Sequence, residues 1–232
     1  ISPLDTLVMT LSSKIGVGSL AGVSIAIVYG GLGSIFWIWI SSFFLAIITY
    51  LENSLAIIYQ DKSKNPQSGP SYYLKKGLNN KILSIIYSCL IIITYIFLFS
   101  SIQTNTIVTL TTELYDIDKI FLSLVITIIS GIIIVKGIKT ISNICNKIFP
   151  VMILIFIILG LIIIIQNFEL LFNLLTSIIT EALTKKSISG GIIYTIIIAL
   201  QKTIFANESG SGTSAIISGT TTSSNYKLQG NL

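Results

Sequence analysis

The chain has 232 residues, of which 53% are hydrophobic and only 10% are charged, and its formal net charge is +5. Soluble domains carry about 25% charged residues, so this composition excludes an ordinary soluble domain and predicts an all-α polytopic membrane protein. The chain has no histidine and two isolated cysteines, Cys89 and Cys145, which argues against a metal centre, histidine-based catalysis or a disulfide framework, and no basic stripe with interleaved aromatic residues points to nucleic acid.

Six apolar runs are long enough to cross a bilayer, which requires about 20 residues for a helix. They lie at about residues 6–29, 34–59, 82–110, 120–138, 148–165 and 188–205. Residues 68–78, SGPSYYLKKGL, follow the second run and combine aromatic residues with lysines. This pattern predicts a short amphipathic helix at the membrane surface.

The segment 167–186 is also apolar at helical spacing, but it carries Glu169, Glu181 and a lysine pair. These charges favour a helix that lies on the outer membrane surface. The alternative is a seventh span, which would move the C-terminal tail to the outside.

The lysines predict the orientation of the spans. The loops expected after the second and fourth runs carry eight lysines: Lys62, Lys64, Lys75, Lys76, Lys81, Lys136, Lys139 and Lys147. The opposite side carries three: Lys119, Lys185 and Lys186. The positive-inside rule therefore places the N-terminus of the first helix, both lysine-rich loops and the tail in the cytoplasm, and it predicts a multi-pass protein of the cell membrane.

The stretch KIGVGSLAG, residues 14–22, interrupts the first apolar run with glycines. Gly16, Gly18 and Ala21 fit a dinucleotide-binding pattern, but that pattern needs an acid about 20 residues further on, and the next acid is Glu52. Gly18 and Gly22 also form G-x-x-x-G, which allows two membrane helices to pack closely. Helix packing is therefore one interpretation of these glycines.

A second interruption favours a different interpretation. The sixth run ends in ANESGSG, residues 206–212. Interrupted helices at corresponding places in two halves of a membrane protein are typical of transporter binding sites. Their free N–H groups face an anionic group and their free carbonyls hold a cation. We therefore predict that 16–22 and 206–212 are unwound and lie side by side.

The same stretches resemble the alanine or glycine:cation symporter family, also called sodium:alanine symporters. Residues 15–39 resemble that family's GTGN-I-AGV-x-T-A-I…GGPGAIFWMW stretch, SGPSYYLKKGL resembles GGPMYYIEKGL, and SIQTN at 101–105 resembles MVQSN. KIFPVMILI at 147–155 resembles K-x-x-P-x-M-A, KTIFANESGSGTSA at 202–215 resembles RGLFSNEAGLGSAP, and YKLQG at 226–230 resembles HPVRQG. The chain departs from the pattern at Val17 and Ser19, where the family has threonine and asparagine, and at Ser68, Ser209 and Ser211.

The resemblance implies an inverted-repeat fold of the leucine-transporter type in one incomplete transport domain, 1–232. Residues 1–165 would form the first five-helix repeat, and 166–187 an extracellular interfacial segment. Residues 188–232 would form the broken first helix of the second repeat and a cytoplasmic tail. We expect a fragment of roughly half a transporter, trimmed at both ends.

The expected function is symport of small amino acids such as alanine or glycine with sodium, or protons, as coupling ion. No enzymatic activity and no cofactor are expected. The predicted substrate contacts are Gly16, Val17, Gly18, Ser19, Gln103 and Phe205, and the predicted cation contacts are Gly16, Ser19 and Asn207. The alternative is a truncated or degenerate membrane fragment without transport of its own.

Several of these residues have a second interpretation. Gln103 could form a hydrogen bond between helices instead of contacting substrate, and Phe205 could pack against neighbours instead of covering the site. Four charges in the membrane are predicted to form a gate or ion pairs: Lys14, Glu52, Lys202 and Glu208. Lys14 and Lys202 could instead extend to opposite membrane surfaces, and Glu208 could accept hydrogen bonds from free N–H groups or ligate the cation directly.

Overall fold

The computed structural model describes residues 1–63, 65–184 and 191–231. Its helices are α1 (Pro3–Lys14), α2 (Val17–Gly30), α3 (Gly33–Ile58), α4 (Pro70–Lys76), α5 (Lys81–Ile93), α6 (Ser100–Leu114), α7 (Lys119–Val135), α8 (Ile138–Gln166), α9 (Phe168–Leu183), α10 (Gly191–Asn207), α11 (Thr213–Ser218) and α12 (Tyr226–Asn231). A π-helical segment, Thr94–Phe99, joins α5 to α6. Predictions for Lys64, Lys185, Lys186, the span start at Ile188 and the last residue, Leu232, lie outside the described residues.

The predicted spans correspond to these helices. Four stretches are long and apolar enough to cross a membrane: Pro3–Gly30, Gly33–Ile58, Lys81–Leu114 and Ile138–Gln166. Two shorter helices, Lys119–Val135 and Gly191–Asn207, are apolar as well. The all-α membrane class is therefore confirmed, while the division into inverted repeats stays a prediction.

One predicted loop is mostly helical. We placed the fifth span at 148–165, but α8 begins at Ile138 and passes through Pro150. The lysine-rich loop 136–147 shrinks to a turn at Lys136 and Gly137, where Gly137 takes the left-handed φ of +85°. Isoleucines at three- and four-residue spacing continue the apolar face of α8 toward its N-terminus, and lysine stems extend along such a helix while their charges reach water.

The described helices expose large apolar side chains and bury small or polar ones. Val28 and Phe43 are each 70% exposed, whereas Ala26 and Ala199 are completely buried. This distribution suits a lipid environment, because large apolar side chains can face lipid tails that are equally apolar. Between membrane helices, close packing of small residues and hydrogen bonds provide the attraction.

The chain forms two compact units. The first contains Ile1–Thr10, Glu52–Asn146 and Ser211–Leu232, and the second contains Leu11–Leu51 and Lys147–Gly210. Each unit is assembled from separate stretches of sequence, so contacts distant in sequence hold it together.

In the first unit, the N-terminus, the segment after α3 and the tail meet at one end. The N–H of Thr222 donates to the carbonyl of Ile1 at 3.0 Å. The side-chain amide of Gln60 donates to the carbonyls of Gly219 at 2.9 Å and Thr221 at 2.8 Å. These segments therefore meet at one end of the unit, and their position on the cytoplasmic side stays a prediction.

In the second unit, the end of α9 packs on the turn between α2 and α3. The N–H of Leu32 donates to a carboxylate oxygen of Glu181 at 3.1 Å, and the indole N–H of Trp37 donates to the carbonyl of Ala182 at 3.2 Å. Gly33 fits there because a Cβ at this position would lie 2.5 Å from the nitrogen of Ala182.

Candidate substrate and cation site at two helix breaks

The first span is interrupted at Ile15 and Gly16, near the middle of the stretch Pro3–Gly30. The carbonyl of Gly16 accepts hydrogen bonds from the N–H groups of Ser19 and Leu20, each at 3.1 Å. The N-terminus of α2 therefore lies within the span, and the positive end of its dipole favours an anion there. The Ser19 hydroxyl donates to the carbonyl of Lys14, so one side chain joins the two halves of the broken helix.

The break is shorter than predicted. We expected 16–22 to be unwound, but α2 already begins at Val17. Gly18 and Gly22 are buried on α2 with Ala26 and Gly30, one residue in every four. The G-x-x-x-G packing interpretation is therefore the right one for Gly18 and Gly22, since a helix satisfies the backbone hydrogen bonds of residues that would otherwise be unpaired in the membrane.

The packing partner of this glycine face is α10. A Cβ at Gly18 would lie 3.0 Å from a ring carbon of Phe205 and 3.1 Å from the Cα of Ala206. At the other end of α2, the hydroxyl of Thr195 donates to the carbonyl of Gly30 at 3.1 Å. The two helices are therefore antiparallel, and the first turn of α2 touches the last turn of α10. The two breaks are neighbours, as predicted.

The second break follows α10, which ends at Asn207. Glu208 takes a φ of +52° and Gly210 a φ of +85°. A left-handed conformation is uncommon for residues other than glycine and stores strain, so Glu208 marks the end of the helix despite its ordinary helix propensity. The next residue, Ser209, shares a hydrogen bond of 2.8 Å with the hydroxyl of Thr49 on α3.

The residues after Gly210 belong to the first unit, where tyrosines hold them. The hydroxyl of Tyr87 donates to the carbonyl of Ser211 at 2.7 Å, and that of Tyr95 lies 3.5 Å from the Ser211 hydroxyl. Gly212 has a φ of +83°, and a Cβ there would lie 2.1 Å from a ring carbon of Pro70. Sequence reasoning missed Tyr87 and Tyr95, although two hydroxyls in an isoleucine-rich span were a detectable signal.

The four charges predicted within the membrane are shielded to different degrees. Glu52 and Glu208 are buried, with 8% and 5% exposure, whereas Lys14 and Lys202 are half-buried. Ionisable residues at membrane depth normally face protein or water rather than lipid, and the two glutamates follow that rule. Their role as a gate or as ion pairs stays a prediction.

The remaining predicted site residues lie in both units. Gln103 is half-buried on α6 in the first unit, whereas the other five predicted substrate contacts belong to the second. Asn207 is half-buried as the last residue of α10. Their contacts with substrate or cation stay predictions.

Among the described residues, no group of three or more histidine, cysteine, aspartate or glutamate side chains could hold a metal ion. The two breaks offer backbone carbonyls, serine hydroxyls and the Asn207 amide. These neutral oxygen donors suit a hard monovalent cation better than a transition metal, which prefers nitrogen and sulfur.

An all-helical membrane protein with two neighbouring interrupted spans has the architecture of a secondary transporter. The chain belongs to the sodium:alanine symporter family, which it matches over residues 1–232. This is a family of transporters and not of enzymes.

Relatives from bacteria and archaea agree with this assignment. The chain is 31% identical over 214 residues to the amino-acid carrier protein AlsT of Bacillus subtilis, covering 91% of this chain and 46% of that protein. It is 30% identical over 232 residues to the probable sodium/glutamine symporter GlnT of Bacillus subtilis, covering 99% and 48%. It is 31% identical over 223 residues to the sodium/alanine symporter AgcS of Methanococcus maripaludis, covering 93% and 49%. The chain spans about half the length of these relatives.

Proposed function

We propose that the protein containing this chain carries a small amino acid across the cell membrane together with sodium or protons. The observation that carries the proposal is the contact between the first turn of α2 and the last turn of α10, which brings two interrupted spans together. In this proposal, 1–165 form the first repeat of a leucine-transporter-type fold and α10 opens the second.

The substrate carboxylate would face the N-terminus of α2, where the helix dipole and the N–H groups of its first turn favour negative charge. Gly16, Val17, Gly18 and Ser19 form this region, and the ring of Phe205 covers it from α10. The close contact between Gly18 and Phe205 favours a substrate with a small side chain, which supports alanine or glycine.

The coupling cation would be held by oxygen atoms at the same two breaks. Gly16 would contribute its carbonyl by exchanging one of the hydrogen bonds from Ser19 and Leu20 for the cation. Asn207 would contribute its side-chain amide oxygen. The Ser19 hydroxyl donates its hydrogen to the backbone carbonyl of Lys14. Its oxygen lone pairs therefore remain available to a cation. No covalent chemistry is needed.

A truncated or degenerate product without transport is the alternative function. The continuous match to the family over residues 1–232 favours the transporter. In addition, the breaks retain specific contacts such as the bond from Tyr87 to Ser211.

Uptake of labelled alanine by the complete protein in vesicles, with and without a sodium or proton gradient, tests the proposal. Gln103→Ala should weaken the apparent affinity roughly ten- to hundredfold, because losing one hydrogen bond to a charged group costs about 1.5–3 kcal/mol. Asn105→Ala is the matched control, since this exposed amide lies two residues away on another face of α6. Equal effects of the two variants would remove Gln103 from the site, and absence of gradient-driven uptake of any small amino acid would favour the degenerate product.

The proposed location is the cell membrane, with the N-terminus in the cytoplasm. Single cysteines at Ser63 and Lys139, which are both exposed, report the sidedness after Cys89 and Cys145 have been replaced by serine. Both should resist an impermeant thiol reagent added to intact cells and react after permeabilisation. Labelling of both from outside would reverse the orientation.

A further inference from the structure

A polar cavity of about 570 Å³ lies in the first unit beside the short helix α4, away from the breaks in sequence. Its lining includes Asp61, Tyr72, Lys75, Lys76, Ser84 and Ser88. The lining therefore combines two cations, one acid and several hydroxyls.

The walls of this cavity are fixed by hydrogen bonds. The buried hydroxyl of Ser84 on α5 donates to the carbonyl of Ser71 on α4 at 2.8 Å. Asn80 caps α5 by accepting from the N–H of Leu83 at 2.9 Å, and its own N–H donates to the carbonyl of Leu74 on α4 at 3.1 Å. The hollow is thus a built feature, because α4 is held against α5 at both its start and its end.

The opposite wall is tied to α4 as well. The backbones of Asp61 and Gln67 pair, with the Asp61 N–H donating to the Gln67 carbonyl at 2.9 Å. The Gln67 side chain accepts a hydrogen bond from the Tyr72 hydroxyl at 3.0 Å. Asp61 is therefore held at the cavity rim.

The side chains that line the cavity carry a net positive charge. Lys75 and Lys76 are exposed, and together with Asp61 they leave the lining with two positive charges against one negative. The ammonium of Lys76 lies 5.6 Å from the centre of the Tyr72 ring, within the range of a cation–π contact that restricts its position.

Apolar side chains adjoin this charged hollow at the level where a span begins. Ile85 is 53% exposed and Ile92 is 55% exposed. At 3.6 residues per turn both lie within about 60° of Ser88 on α5, which enters the long span Lys81–Leu114. A charged pocket beside an exposed apolar helix face matches a phospholipid, which joins a charged phosphate to its acyl chains.

We propose that this cavity binds the headgroup of an anionic glycerophospholipid. The phosphate accepts hydrogen bonds from the ammonium groups of Lys75 and Lys76, and the acyl chains run along Ile85 and Ile92. Asp61 accepts a hydrogen bond from a headgroup hydroxyl, which makes phosphatidylglycerol the fitting chemistry. The lipid would fasten α4 to the membrane surface next to the loop that follows α3.

The test measures lipid binding by the complete purified protein in detergent, using native mass spectrometry and the thermal unfolding midpoint. Phosphatidylglycerol, phosphatidylcholine and inorganic phosphate are the probes. The Lys75→Gln, Lys76→Gln double variant should bind phosphatidylglycerol roughly 25-fold more weakly, since each lysine near an anionic headgroup contributes about a fivefold effect. Asp61→Asn should have the opposite effect and strengthen binding, because it removes the negative charge.

Lys136→Gln with Lys139→Gln is the matched control, since it removes the same charge from exposed positions outside the cavity. This control should bind phosphatidylglycerol as the unmodified protein does. Equal losses in the two double variants would overturn the proposal, because they would indicate general attraction to charge. Equal binding of phosphatidylcholine would also overturn it, as would full stabilisation by inorganic phosphate alone.

Discussion

Gly18→Ala tests whether the close contact of the two breaks matters for transport. The added Cβ would lie 3.0 Å from a ring carbon of Phe205 and 3.1 Å from the Cα of Ala206. Ordinary carbon contacts begin at about 3.5 Å, so both distances are about 0.4–0.5 Å too short. The ring of Phe205 can rotate away, but Ala206 contributes backbone, so the end of α10 has to shift.

The magnitude follows from two opposing effects. Overpacking a tight contact costs about 1–3 kcal/mol, and the better helix propensity of alanine offsets up to about 1 kcal/mol. A net cost of about 1–2 kcal/mol corresponds to a roughly five- to thirtyfold loss in the apparent affinity for alanine. Initial rates of gradient-driven uptake in vesicles, measured over a range of alanine concentrations, provide the assay.

Gly22→Ala is the matched control for this experiment. Its Cβ would lie 4.0 Å from the Cβ of Lys202, an ordinary van der Waals contact, so uptake should stay within about twofold of the unmodified protein. Gly18→Ala with unchanged uptake would refute the reasoning, because the contact between the breaks would then be irrelevant to the site. Equal losses in both variants would show that helix packing in general, and not the position of the breaks, controls transport.

Two further predictions concern the second break and the membrane surface. Gly212→Ala should lower the yield and the unfolding midpoint of the folded protein strongly, because its Cβ would lie 2.1 Å from Pro70. Gly210→Ala, with a similar positive φ and nothing within 4 Å, should cost only about 1–3 kcal/mol of backbone strain. The yield of folded protein and its thermal unfolding in detergent compare the two variants, and equal stability would contradict the contact. Burial and the nearby Glu52 carboxylate raise the pKa of Tyr73 to about 12. As the pH rises, the unfolded chain therefore loses the Tyr73 proton before the folded protein does. The contribution of Tyr73 to stability is complete below about pH 10 and is lost as the pH rises to about 12. Ultraviolet titration should show a late phenolate transition whose amplitude Tyr73→Phe reduces by one tyrosine, and an unchanged titration would disprove the assignment.

Most of the helices could be predicted from the sequence because membrane spans are recorded in local composition. A run of about 20 apolar residues has few alternatives in a bilayer, and α3 begins and ends within a residue of its predicted limits. The predicted start of α8 lies ten residues after the observed one. Composition alone does not distinguish lysines on an amphipathic helical turn from lysines in a loop.

The breaks were located in sequence, but their extent depended on packing. Glycines at 16, 18 and 22 are equally compatible with unwound backbone and with a close helix contact, and only the presence of α10 against Gly18 decides between them. The short helices α11 and α12 also escaped prediction, since each is only six residues long. Gln229 in α12 is nevertheless 1% exposed and donates to the Thr6 hydroxyl at 2.9 Å.

The sequence by itself determined the membrane class, the approximate spans, the existence of two interruptions and the resemblance to a transporter family. These features depend on composition and on short motifs, which can be recognised in the sequence without knowledge of the fold. Tertiary structure alone decided that α2 and α10 run antiparallel in contact and that Tyr87 holds the carbonyl of Ser211. It also decided that α4 and α5 enclose a charged hollow. Such contacts join residues far apart in sequence, and no local pattern specifies which distant surface a glycine face or a hydroxyl will meet.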